Sequence, residues 1–220
     1  AMQPLDLPAE IASIAATVGE ETVQMTSRAW TGSIFRIVRT TLMESPSRIQ
    51  VFNLVAYPRV EFDLPLFATD VVVLRDQLRI GVIDAMPLFP EEPEYAERWV
   101  KPFLPLAEHS RTLGPRFTLK MEWSRHYLGE AACLLTGVPA TALGPLGQLW
   151  NEYWQRYLTL AGNATPLTPE RRARVEAWHA EYNRDHAEVE LKRNPLMKYY
   201  GAEYGTRFIQ EFLFSDEIGR

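Results

Sequence analysis

The side chains in this sequence that could move protons are carboxyls in apolar company. Asp70 follows Phe67-Ala68-Thr69 and precedes Val71-Val72-Val73, so its carboxyl opens a β-branched segment whose neighbours are core residues. Burial disfavours the charged form of a carboxylate, which makes Asp70 a candidate proton donor near neutral pH. The same pattern also fits an aspartate capping the turn that enters a strand. Asp84, within Val82-Ile83-Asp84-Ala85-Met86-Pro87, carries the same two readings, and we read it as structural. Glu190 belongs to a long polar helical stretch, where a charged side chain ordinarily faces water. Asn53 lies between Val51-Phe52 and Leu54-Val55, and strand alternation puts Val51, Asn53 and Val55 on one face. An amide on an apolar face needs a protein or ligand partner, because leaving it unpaired costs about 1–3 kcal/mol.

Other chemistries are missing from the pattern. No GxGxxG opens a helix after a strand, and no GxxxxGK[ST] occurs. His109, His126, His179 and His186 lack the HExxH spacing and read as surface or capped histidines, so no metal site is expected. Ser124-Arg125-His126 lacks the flanking glycines of a nucleophile elbow. A single cysteine, Cys133, excludes an intramolecular disulfide, a Cys-rich zinc site and a four-thiolate iron–sulfur cluster, and points to a reducing cytosol. With 23 Lys and Arg against 28 Asp and Glu, a net charge of -5 provides no global field for nucleic acid or an anionic membrane. No basic n-region precedes an apolar stretch and no run reaches the length of a spanning helix, so neither export by that route nor membrane insertion is expected. Ala1 reads as an addition ahead of a native methionine.

The 220 residues, 46% of them hydrophobic, suffice for one sizeable core, and we read residues 1–220 as a single domain. Ile11, Ile14, Ala15 and Val18 recur at helical intervals after Pro8 and predict an amphipathic opening helix between residues 8 and 30. Segments rich in β-branched and aromatic residues follow at 33–43, 48–57, 68–75 and 78–86, with a further strand expected at 117–128. Short links such as Ser45-Pro46-Ser47 and Asp76-Gln77 fit an antiparallel meander. Helical periodicity takes over at 145–160, 168–190 and 202–213, and Thr168-Pro169-Glu170 is a start signal with Thr as N-cap. Strands first and helices later give an α+β fold with helices on an antiparallel sheet. Aromatic residues make up 11% of the chain, an excess that ordinarily fills the core but also suits a flat apolar ligand.

The run Val51-Phe52-Asn53-Leu54-Val55-Ala56-Tyr57-Pro58-Arg59, followed by Phe62-Asp63-Leu64-Pro65-Leu66-Phe67-Ala68-Thr69-Asp70, resembles the ferredoxin-dependent bilin reductase family, which shows "YPR…(Y/F)DLPxFGxD" there. Ile83 through Leu88 looks like its "D(M/L)xPL" strand end, and Trp123-Ser124-Arg125 like its "WTRP" strand. Lys198 through Tyr204 and Phe212-Leu213-Phe214 are similar to its "FYGAEW…FLF" ending. In order, these cover most of the chain from residue 48 onward, and they look nearest to the family's 15,16-dihydrobiliverdin:ferredoxin oxidoreductase and phage-type phycoerythrobilin synthase branches.

The resemblance implies an α/β/α sandwich with a central antiparallel sheet and an open-chain tetrapyrrole between the sheet and the C-terminal helices. It also implies no bound cofactor: electrons arrive singly from reduced ferredoxin, and side chains protonate a bilin radical. The substrate implied is biliverdin IXα, reduced first at the 15,16 double bond and then as far as phycoerythrobilin or phycocyanobilin. Asp70 falls on the family's central proton-donating aspartate. Asn53 stands where phycocyanobilin-forming members have histidine and the phycoerythrobilin lineage has asparagine. Thr41 replaces the glutamate used for vinyl reduction, which argues against the phycocyanobilin route. Glu190 replaces a second catalytic aspartate and adds one methylene of reach, whereas Asp185, five residues earlier, points elsewhere. Arg125 matches an arginine that pairs with a bilin propionate, Phe67 is assigned to the substrate-binding wall, and Ala68 replaces a glycine. The change at Glu190 also leaves a rival reading, a bilin-binding or carrier protein without turnover. A cytoplasmic monomer that docks acidic ferredoxin through a local basic face, including Lys192, Arg193 and Lys198, completes the expectation.

Overall fold

The computed structural model describes residues 1–47, 49–117, 126–139, 141, 143–193 and 196–215. Among them the chain runs through β1 (Gln3–Pro4), α1 (Ala9–Ala12), β2 (Ser13–Val18), β3 (Glu21–Thr31), β4 (Phe35–Glu44), β5 (Ile49–Pro58), β6 (Leu66–Leu74) and β7 (Gln77–Met86). It continues through α2 (Pro93–Trp99), α3 (Leu104–Ser110), β8 (Cys133–Leu135), β9 (Val138–Pro139), α4 (Leu143–Ala161), α5 (Pro169–Arg193), α6 (Leu196–Tyr200) and α7 (Ala202–Arg207), and ends in a π-helical turn, Phe208–Leu213. The strands form one antiparallel sheet in the order β1-β3-β4-β5-β6-β7-β8, with β2 on the β3 edge and β9 on the β7 edge.

Two apolar sets, one on each face, build the layers. Val38, Leu54, Ala56, Phe67, Ile83 and Ala85 pack with Trp99, Phe103, Leu149, Tyr153 and Tyr157, which places α2 to α4 on one side. Met25, Ile37, Val55, Tyr57, Leu66, Ala68 and Met86 pack with Tyr182, Leu196, Phe208 and Phe212, which places α5 to the C-terminal turn on the other. The strand period of two assigns the residues to these sides, and the result is the expected α/β/α sandwich.

The expected opening helix is limited to the single turn of α1. Gly19, at a φ of +67° that glycine adopts without strain, turns the chain between β2 and β3. Along β3, Val23, Met25, Ser27 and Ala29 are buried while Thr22, Thr26 and Arg28 are exposed, an alternation that a sheet can use and a helix cannot. The helical spacing from Ile11 to Val18 is thus overruled by β-branched residues that find a ladder partner. Two helices unforeseen in the sequence, α2 and α3, each carry a proline in their first turn. Of the strand expected at 117–128, residues 118–125 lie outside the described residues, and His126 and Tyr127 are helical.

The placement of α5 matters most for the site. Thr168 caps it as expected, accepting from the Arg171 amide at 3.3 Å. Arg171 then fastens its first turn: the guanidinium donates to both Glu92 oxygens at 2.7 and 2.8 Å, reaches Asp63 at 3.2 Å, and lies 3.9 Å from the Phe89 ring centroid. Removing Arg171 strands the Asp63 carboxylate and leaves Glu92 with Arg174 alone, 2.7 Å away. Arg171→Met should lower the stability of the fold by about 2 kcal/mol, read from its urea midpoint; an unchanged midpoint would show that the network anchors nothing.

Candidate active site

Register fixes which side chains meet above the sheet. Thr41 on β4 pairs with Asn53 on β5, Asn53 with Asp70 on β6, and Asp70 with Val82 on β7, so one rung carries a hydroxyl, an amide and a carboxyl on the same face. The next rung carries Arg39, Val55, Ala68 and Asp84. Across from them α5 turns Tyr182, His186, Val189 and Glu190 toward the sheet, spaced three and four residues apart as one helix face requires. A cavity of about 460 Å³ lies between, its apolar walls including Met25, Val51, Val72, Met86, Leu196 and Phe208.

Asp70 and Glu190, adjacent to nothing in sequence, line this cavity from opposite sides. Burial, then the negative charge of Glu190, push the Asp70 carboxyl up to about 6, against the pull of a hydrogen bond from Asn53. The Asn53 side-chain oxygen accepts from Arg39 Nη1 at 3.4 Å. Arg39 is 2% exposed and lies among the rings of Tyr57, Phe212 and Phe214, with centroids 5.7 to 5.8 Å away. Among the described residues it makes no ion pair. The His186 ring stacks on Tyr182 at 3.8 Å, and its Nδ1 lies 2.9 Å from the Tyr182 carbonyl. A carbonyl only accepts, so Nδ1 carries the proton. Burial pushes His186 down to about 4, which leaves it neutral at physiological pH.

Several expected residues stand where their readings put them. Asp185 points elsewhere, its Oδ2 accepting from the Tyr127 hydroxyl at 2.7 Å. Asp84 is buried on the neighbouring rung; its Oδ2 accepts from the Gly129 amide at 2.7 Å, its Oδ1 has no partner among the described residues, and burial lifts its carboxyl to about 7. Thr41 and Ala68 line the cavity, and Thr41 lies 3.3 Å from the Ser27 hydroxyl. Arg125 lies outside the described residues. Phe67 must be corrected: it alternates with Leu66 and Ala68, faces the other side of the sheet, and packs on Trp154 and Tyr157 at 5.0 and 5.2 Å, so it is no part of the cavity wall. Lys198 is exposed, while Lys192 pairs with Glu188 at 2.7 Å.

Arg39, Tyr127 and Tyr182 are polar cavity residues that the sequence does not single out, whereas two histidines expected at the surface are internal: His186 lines the cavity and His179 is buried beneath α5. Arg39 carried the same signal as Asn53, a polar side chain alternating with Ile37, Thr41 and Met43, and His186 sits four residues before Glu190 on one helix face. Among the described residues no three His, Cys, Asp or Glu side chains converge as metal ligands, and no helix is long and apolar enough to cross a membrane.

Known proteins resemble this chain in sequence and in fold. The phycoerythrobilin:ferredoxin oxidoreductase of Gloeobacter violaceus is 31% identical over all of this chain and 90% of its own. A 15,16-dihydrobiliverdin:ferredoxin oxidoreductase of the same organism is 26% identical over 99% of this chain and 89% of its own. The crystal structure of phytochromobilin synthase from tomato, in complex with biliverdin, shows the same fold, with a TM-score of 0.85 at 20% identity over 100% of this chain and 79% of that one. The model of the ferredoxin-dependent bilin reductases matches residues 1–215, and the chain belongs to that family of oxidoreductases, which reduce bilins with electrons from ferredoxin.

Proposed function

We propose that the protein reduces biliverdin IXα at its 15,16 double bond, with electrons delivered singly by ferredoxin and protons delivered by the chain itself. The observation that carries this reading is the convergence of Asp70 and Glu190 on one cavity, with the neutral form of Asp70 favoured by burial and by the Glu190 charge. Saturating one double bond takes two electrons and two protons. The first electron makes a bilin radical; Asp70 gives it a proton, becomes carboxylate and is reprotonated, and a second electron and proton complete the reduction. A cavity of about 460 Å³ with apolar walls suits a flat pigment, and closing it from water makes each fixed charge count for more.

Asn53 holds the Asp70 carboxyl in place, and Glu190, with its extra methylene, is the second acid when reduction continues. Relatives named for 15,16-dihydrobiliverdin and for phycoerythrobilin support a phycoerythrobilin-lineage product. Thr41, a hydroxyl where a vinyl-reducing member would place glutamate, supports the same lineage over phycocyanobilin. Arg125 is assigned to a propionate through the family resemblance. Ferredoxin docks at the sheet end where exposed Arg75 and Arg79 share a surface depression with Tyr199, the chain neighbour of exposed Lys198; Ile80, next to Arg79, is a cavity residue that is itself 38% exposed. We assign the working state as a cytoplasmic monomer of one domain.

Incubated with biliverdin, reduced ferredoxin and a ferredoxin reductase, the protein should blue-shift the pigment absorption and release 15,16-dihydrobiliverdin or phycoerythrobilin on chromatography. Tight pigment binding with an unchanged spectrum would replace the enzyme with a carrier. The pH dependence has a definite sign: Asp70 donates only when protonated, so turnover should be level below pH 6 and fall as the pH rises through about 6. His186, neutral above about 4, adds no limb in that range. A rate that climbs with pH from 5 to 8 would exclude Asp70 as the acid.

A further inference from the structure

We propose that Arg39 is a positioning residue: it holds the Asn53 amide with its oxygen toward the guanidinium and its N–H toward Asp70, and so fixes the hydrogen bond that receives the negative charge when Asp70 gives up its proton. This rests on the reading of Asp70 as the proton donor.

Donor chemistry sets the direction. A guanidinium has only donors, so the Asn53 atom 3.4 Å from Arg39 Nη1 has to be the oxygen. The amide nitrogen is then left for Asp70, the register partner of Asn53 on the next strand. Without Arg39 the amide could turn over and offer its oxygen to the protonated carboxyl, which stabilises the wrong side of the proton transfer. Arg39 itself pairs with Val55, one cavity-facing position along β5 from Asn53, and reaches the amide diagonally.

The energetics point the same way. Burying a cation without a counter-ion costs several kcal/mol, and an apolar side chain in that place would serve stability better. Three aromatic rings offset part of the cost, yet Arg39 Nε has no hydrogen-bond partner. The one side chain that Arg39 does bond is the one that bonds the acid.

The groups around Asp70 divide into two camps. From α5, the Glu190 charge favours the neutral carboxyl, and His186 is neutral. Tyr127 and Tyr182 line the same cavity, their hydroxyls pushed above the ordinary range. On the sheet, Thr41 carries no charge, and Asp84, a rung away, accepts the Gly129 amide through Oδ2 and is lifted by burial to about 7, so its neutral form is favoured as well. The Asn53 hydrogen bond, aligned by Arg39, favours the carboxylate, and the Arg39 cation works in the same direction. When the reduced bilin takes the proton, Asp70 passes from carboxylic acid to carboxylate, and the Asn53 N–H already points at the oxygen that gains the charge. No reorganisation is then required.

The test titrates the protonated-carboxyl band of Asp70, assigned by its loss in Asp70→Asn, in the bilin-free protein by difference infrared spectroscopy. Turnover is profiled against pH alongside. Arg39→Met should raise the Asp70 midpoint by about one pH unit and carry the falling limb of turnover with it. Asn53→Leu should do the same, and Arg39→Met should add a smaller shift in the Asn53→Leu background. Arg39→Gln, which keeps an N–H donor but no charge, should restore the midpoint toward the original. An unmoved midpoint in Arg39→Met, or an equal shift with and without Asn53, would overturn the proposal. Because the titration needs no pigment, it judges Arg39 even if the protein fails to reduce biliverdin, a failure that would count against the proposed function instead.

Discussion

A carboxyl that keeps its proton up to about pH 6 has to be drawn back from water and held close to another negative charge. The β5–β6 register does the first for Asp70 and the crossing of α5 does the second, by bringing Glu190 over the same cavity. The two requirements oppose folding, since each places a polar group where apolar packing would be more stable. The rest of the molecule offsets that cost. Helices α2 to α4 and their aromatic stacks seal one face of the sheet, so the other can open into a cavity without losing the core.

Helix α5 carries an unusual share of the burden. Its inward stripe holds His179, Asn183, His186 and Glu190, which is a poor seam for hydrophobic docking. What docks it is polar and aromatic instead. The Thr168 cap and the Arg171 network fix its start, the Tyr57 hydroxyl donates to Asn183 at 2.8 Å in its middle, and Tyr182 stacks on Trp178 at 13° between ring planes. Further on, Gly201 takes a φ of +89° ahead of α7, a turn that brings Phe208 and Phe212 back under the sheet face.

How much of this was legible depended on whether the deciding partner was near in sequence. Asn53 could be found by alternation alone, because a strand shows its face in every second residue. Thr168-Pro169 announced α5 for the same local reason. Glu190 could not be found that way: a charged residue in a polar helix reads as solvated, and only the sheet packed against it makes it internal. Its identification came from the family resemblance, as did the choice between a turn cap and an acid for Asp70. The misassignment of Phe67 has a simple origin, since alternation from Asp70 through Ala68 already sends it to the opposite face. The opening helix failed because the spacing from Ile11 to Val18 fits two periods, and long-range pairing with β3 decided between them.

The proposed reduction turns on Asp70 giving its proton to a singly reduced bilin. Rapid mixing of the pigment-loaded protein with reduced ferredoxin, followed by electron paramagnetic resonance and absorption, tests this directly. The wild-type radical should form and decay to product, while in Asp70→Asn, where the amide has no proton to give, the radical should form at a similar rate and persist. Decay to the same product at the wild-type rate in Asp70→Asn would contradict the account.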